Sequence, residues 1–353
     1  MRYKPDWEKA QQKYREFWAG ENHDRPLVYV TGRRGMPDAE KLSNKTYVTQ
    51  RERWLDIESH IQNARAWMEQ TEYLGESYPM IWPNLGPDIF GATFGADLIF
   101  EADTSYAVPF VRNWASQPPL CFVEENSWWK AVCSMTEALV EDARGDYFVG
   151  ITDIHPGSDG LVSLRGPENL CMDLYDCPEQ IPHRAMELYD GFCRQVDALY
   201  AITTRNLPGS TNWMGVWHPD KWYPVCSDFS CMVSTEMYAR LILPEIRAEC
   251  QWLGGNAIYH LDGPGAIRHL DLLLEVPEIA GIQWVPGVGC KDLSYWLPML
   301  KKIQQAGKRI VIDLSVQDID IALENLKPEG VFYMIGGGFT ADEAREIMRK
   351  FER

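Results

Sequence analysis

The sequence predicts an α/β protein built as a (β/α)8 TIM barrel, and three observations lead there. Eight short apolar runs have the length and composition of buried strands. Most are separated by stretches with helical spacing, an alternation that indicates a parallel sheet. Several stop abruptly in ionisable residues followed by Gly or Pro, as strands do at the open end of such a fold. In a barrel of eight units, chemistry gathers at the strand C-termini.

The elements follow in chain order. Residues 1–20 read as a helix, and 27–30 as a first strand that ends at Thr31, Gly32, Arg33 and Arg34. Residues 46–72 are rich in Arg, Glu and Trp and read as helical. From about 73 to 116 the chain turns irregular, full of Gly, Pro, Trp and Phe. That aromatic content is too high for a disordered linker, so a structured insertion is expected. Further strands are expected at 147–152, 211–217, 224–228, 256–262, 281–286, 309–314 and 330–336. Helices are expected at 178–204, 234–253, 265–275, 292–306, 317–325 and 340–352. The link between 217 and 224 is too short for a full helix. The whole of 1–353 reads as one domain.

Bulk composition excludes several roles. With 34 basic against 51 acidic residues the net charge is −17, which argues against nucleic acid and anionic membrane surfaces. No run approaches the roughly 20 apolar residues of a membrane span. The start, MRYKPDWEKAQQKYREFW, is charged and amphipathic with no apolar signal core, so a cytoplasmic protein is expected. The nine cysteines are scattered, with no paired CxxC spacing. Most should be small buried hydrophobes.

Residues 256–265, NAIYHLDGPG, carry the sharpest chemical signal. Strand alternation sends His260 and Asp262 to one face and Leu261 to the other. An imidazole and a carboxylate thus stand together at a strand end. Other strand ends offer Asp153 and His155, Trp213 with Trp217 and His218, Asp228, Gln283 with Trp284, and Asp313. The expected catalytic residues are His260, Asp262, Asp228 and His155. Trp213, Trp217, His218, Gln283, Trp284 and Arg33 are expected to bind substrate, the indoles as apolar walls. Blander readings stand beside these. Asp153 and Asp313 fit helix N-caps, His218 before Pro219 fits an exposed loop, and His269 fits a helix surface. The glycines 336–338 lack GxGxxG spacing and a Lys, so they carry little phosphate signal.

Five segments together carry a resemblance: DRPLVYV, GITDIHPGSDGLVSLRGPENLCMDLYDCPE, SDFSCMVSTEMYARLILPEI, IYHLDGPG and GGGFTADEA. Their order resembles the uroporphyrinogen decarboxylase superfamily, which includes methylcobalamin:coenzyme M methyltransferases and related corrinoid-system proteins. The resemblance implies a single barrel with its site at the strand C-termini. True decarboxylases of the family carry RQAGR after the first strand. Here that place reads TGRRG, so porphyrinogen decarboxylation is not expected.

The methyltransferase branch carries His-x-Cys in the fifth strand and a late Cys as zinc ligands. Here His260 matches, Asp262 replaces the Cys, and Gly336–Gly338 holds no Cys. The resemblance leaves two alternatives: Zn2+ held by His260 and Asp262, with Cys290 as an outside candidate, or no metal. Exchanging thiolate for carboxylate would favour polarising an ether or hydroxyl oxygen. The implied activity is methyl transfer between a small organic substrate, such as a methyl ether, and cobalamin. No DxHxxG motif is present, so cobalamin is expected on a separate corrinoid protein, and a homodimer is a further expected partner state. The alternative is a decarboxylase or lyase acting on a small carboxylated molecule, with Arg33, Arg34 or Arg165 as clamp. A non-catalytic ligand-binding barrel is the third class.

Overall fold

A computed structural model describes residues 1–287 and 292–352. Its strands are β1 (Leu27–Arg33), β2 (Thr71–Gly75), β3 (Met80–Ile81), β4 (Asp97–Phe100), β5 (Ser105–Val108), β6 (Phe148–Val149), β7 (Tyr223–Cys226), β8 (Ala257–Asp262), β9 (Ile279–Val285), β10 (Arg309–Asp313) and β11 (Val331–Ile335). The main sheet runs β2-β1-β11-β10-β9-β8-β7. Every pairing in it is parallel except that of β2 with β1. β3 and β6 form a separate parallel pair, and β4 with β5 an antiparallel hairpin.

Period-two alternation gives this sheet two different apolar faces. Leu27, Phe148, Ile258, Val311 and Phe332 join one cluster with Trp7, Tyr14 and Phe17 of the helix Trp7–Ala19. Their strand neighbours, among them Val28, Ala257, Ile310 and Val331, pack into a second cluster with the long helices. The first helix closes the N-terminal ends of the strands. Arg309, which opens β10, donates to the Trp18 carbonyl at 2.5 Å. Asn22 holds both the Pro328 carbonyl and the Gly330 N–H just before β11. The C-terminal strand ends stay clear of it.

Three expectations change. Among the described residues the hydrogen-bonded ladder is an open sheet of seven strands, not a closed ring of eight. The region read as an insertion supplies β3, so it is part of the parallel framework as well as a hairpin. Residues 211–217 are not a strand. Asn212 makes one parallel bridge to Ile151, and the chain then turns at Gly215 (φ 74°). An antiparallel bridge between Ser210 and His218 follows, with N–H···O distances of 2.8 and 2.9 Å. The segment therefore goes up to the strand ends and comes back. Tyr223 ties β7 towards β6, its hydroxyl donating to Thr152 O and accepting from Ile154 N–H.

Candidate functional site

Register puts three polar side chains at one level across adjacent strands. Cys226 on β7 faces His260 on β8, which faces Gln283 on β9. His260 and Asp262 share the face of Ile258, so alternation turns them inward, as the NAIYHLDGPG pattern predicts. The Gln283 amide oxygen lies 2.6 Å from His260 Nδ1. That oxygen can only accept, so Nδ1–H is the donor in this bond and Nε2 is the ring atom left for a ligand. Asp228, His260 and Asp262 each offer a ligand atom within 4.8 Å of the others. Burial and then Asp228 push the Asp262 carboxyl above its ordinary range, opposed by His260. Asp313, at the end of β10, is likewise raised by burial and lowered by His260.

A second cluster lies beside the first. His155 Nε2 is bonded to Asp153, and Nδ1 lies 2.7 Å from the Cys226 sulfur. Cys226 is 3.6 Å from Asp159 Oδ2, and Asp159 accepts the backbone N–H groups of Asp228 and Phe229, each at 2.9 Å. Burial alone would lower the His155 pKa, but Asp153, then Asp159 and Asp228, raise it to about 9. Burial and Asp228 raise Asp159 to about 6, against the pull of His155. Burial and the same carboxylates push the Cys226 thiol up. Both His155 nitrogens are engaged, one by Asp153 and the other by Cys226, so in this arrangement the ring would meet a substrate only by exchanging its bond to the thiol. Asp153 is its partner and not a helix cap, since Pro156 holds the N-cap place of the helix Gly157–Arg165.

The aromatic residues divide. Trp213 stands between the two imidazoles, its ring 5.8 Å from that of His155 and 5.3 Å from that of His260. Trp217 and His218, expected at the mouth, are corrected to the opposite end, because the chain has turned back by then. Trp217 is 1% exposed against Trp7 and Tyr14. The His218 ring meets Trp18 edge-on at 4.6 Å. Trp284 is also corrected: one residue past Gln283, it faces outward and packs on Trp296, with ring centroids 4.9 Å apart. It lines a cavity of about 820 Å³ with Trp296, Asp292, Asp313, Asp318 and Met334.

Arg33 is exposed, with its guanidinium 4.8 Å over the Trp67 ring. Arg165 grips Asp173 through two bonds of 2.7 and 2.9 Å. Arg165 is therefore committed to Asp173 and not to a carboxylated substrate. Cys290 lies outside the described residues. His269 is not a surface residue: it is fully buried, bonded to Ser230 O and stacked on Tyr238.

Beneath the second cluster lies a buried acid pair that gives no linear signal. Glu245 and Glu249 are 3% and 1% exposed and hydrogen-bond each other. Burial raises Glu245 to about 7 and holds Glu249 well above its usual range. Gly157 (φ 58°) makes room, since a Cβ there would fall 2.0 Å from Glu245 Oε2. The folded state therefore keeps a proton that the unfolded chain gives up between about pH 4.5 and 7, so stability falls as pH rises through that window. Glu245→Gln is expected to raise stability at pH 8 by on the order of 2 kcal/mol and to change little at pH 4. Urea titrations at both pH values check this.

The fold and site together define an α/β protein with a polar cluster at the C-terminal ends of a parallel sheet. No protein-family model matches the chain, and no curated relative matches its sequence. Among solved structures, one it resembles is a methyltransferase from Methanosarcina mazei, with a TM-score of 0.63 and 11% identity. That likeness covers 97% of this chain and 98% of the other. At this identity it is a likeness of fold.

Proposed function

We propose that the protein is the methyltransferase component of a corrinoid-dependent system. It moves a methyl group between a small organic substrate, such as a methyl ether, and cobalamin on a separate protein. The observation that carries this reading is the convergence of Asp228, His260 and Asp262 at the open strand ends. Likeness of fold to a methyltransferase along nearly the whole chain supports it. In this reading β3 and β6 complete a (β/α)8-type barrel around the inner cluster.

Two carboxylates and an imidazole suit Zn2+, and the His260–Gln283 bond supplies the outer support such a ligand needs. Asp228, His260 and Asp262 are the residues that would hold it. A bound Zn2+ supplies Lewis acidity at the oxygen that loses or gains the methyl group. Gln283 fixes the His260 ring so that Nε2 faces the mouth, and Trp213 gives an apolar wall that excludes water beside it.

The test is direct. Incubating the protein with cob(I)alamin and a panel of methyl ethers is expected to give methylcobalamin, followed by its visible spectrum. Release of carbon dioxide from a carboxylated substrate, with cobalt never methylated, would instead favour the lyase.

A further inference from the structure

We propose that His155, Asp159 and Cys226 form a second metal site, built for a divalent cation that accepts a thiolate, Zn2+ foremost. Their ligand atoms lie within 4.8 Å of one another. The donors are one imidazole, one carboxylate and one thiol, a set that selects zinc over calcium or magnesium. Deprotonated thiol and carboxylate bring two negative charges to a divalent cation, so the ligands themselves balance the charge of the ion. Three protein ligands leave a fourth position for water or substrate, as in catalytic zinc sites.

The outer support is already built. Asp153 takes His155 Nε2, leaving Nδ1 to face Cys226 and Asp159. A carboxylate behind a ligating imidazole is the usual companion of bound zinc. The Asp159 carboxylate is steadied by the N–H groups of Asp228 and Phe229. Cys226 is 7% exposed and comes from a strand, which gives it a fixed position. The indole of Trp213 stacks alongside the His155 ring.

The movement that binding requires is small. Bonds of about 2.0 Å from zinc to nitrogen and 2.3 Å to sulfur hold the two donors roughly 3.5 Å apart. Nδ1 and Sγ now stand 2.7 Å apart, so they separate by less than an ångström as the ion replaces their shared proton. This site does not depend on the methyl-transfer reading, nor on His260 and Asp262.

Cobalt(II) is the probe. The purified full-length protein is stripped with a chelator and titrated with Co2+ alone. A near-ultraviolet thiolate-to-cobalt charge-transfer band is expected in the wild type and in His260→Ala, and is lost in Cys226→Ser. Asp153→Asn, which leaves all three ligands in place, is expected to weaken cobalt binding about 10–100-fold. It serves as the second variant if Cys226→Ser does not fold, with near-ultraviolet circular dichroism as the check. A wild type without the band overturns the proposal. So does a band that survives in folded Cys226→Ser, or Asp153→Asn binding cobalt as tightly as the wild type.

Discussion

Replacing His260 with alanine is expected to lower methyl transfer by at least about 100-fold, the upper end of what losing a mere supporting partner costs. The ring is half-buried between Gln283 and Trp213, and its Nε2 is the only nitrogen donor of the Asp228–His260–Asp262 group. Removing it leaves two carboxylates with no neutral ligand between them. Zinc stoichiometry is expected to fall with activity, while thermal stability stays close to wild type because the side chain does not lie in the apolar core. Metal analysis, methylcobalamin formation and a melting curve on the same preparation give all three readings. Undiminished methyl transfer by a folded His260→Ala protein would falsify the role given to this residue.

The second large effect lies at the other end of the molecule. Trp217→Ala is expected to destabilise the fold by about 3–5 kcal/mol, the range for deleting a large buried aromatic, and to leave substrate affinity in the surviving folded protein unchanged. Trp217 is 1% exposed, meets Trp7 edge-on at 5.6 Å and lies under the Arg15 guanidinium at 5.4 Å. Its indole fills space against Gly209, where any Cβ would stand 2.4 Å from Nε1. The cavity left behind would be ringed by Tyr14 and Trp7, neither of which can collapse into it without moving the first helix. Urea unfolding monitored by circular dichroism measures the loss. A change in KM with no change in unfolding midpoint would return Trp217 to the substrate.

How far the sequence could be read depends on where local pattern and tertiary contact agree. β8 to β11 were legible because each is an apolar run bounded by turn residues, and their observed spans fall within or close to the expected ones. His260 and Asp262 share a face because a strand alternates, and nothing distant alters that. Met80–Ile81 was hidden because a two-residue strand, in a stretch of only three residues between Pro79 and Pro83, carries no periodic signal. The run 211–217 has the composition of a strand, yet Gly215 takes a positive φ there and the chain doubles back. That single turn moves Trp217 and His218 to the far end while leaving Trp213 at the site.

Asp159 and Cys226 escaped for a different reason. An acid in the first turn of a helix and an isolated cysteine each have an ordinary structural explanation. Only the crossing of the helix Gly157–Arg165 with β7 shows what they share. The one linear hint was the four-residue spacing of His155 and Asp159 around Pro156 and Gly157.

Asp228 looks in two directions. Its backbone N–H supports Asp159, while its carboxylate belongs with His260 and Asp262. The two clusters therefore share one residue. Whatever loading at one does to affinity at the other holds by the same factor in reverse, and Asp228 is the residue through which such an effect would pass.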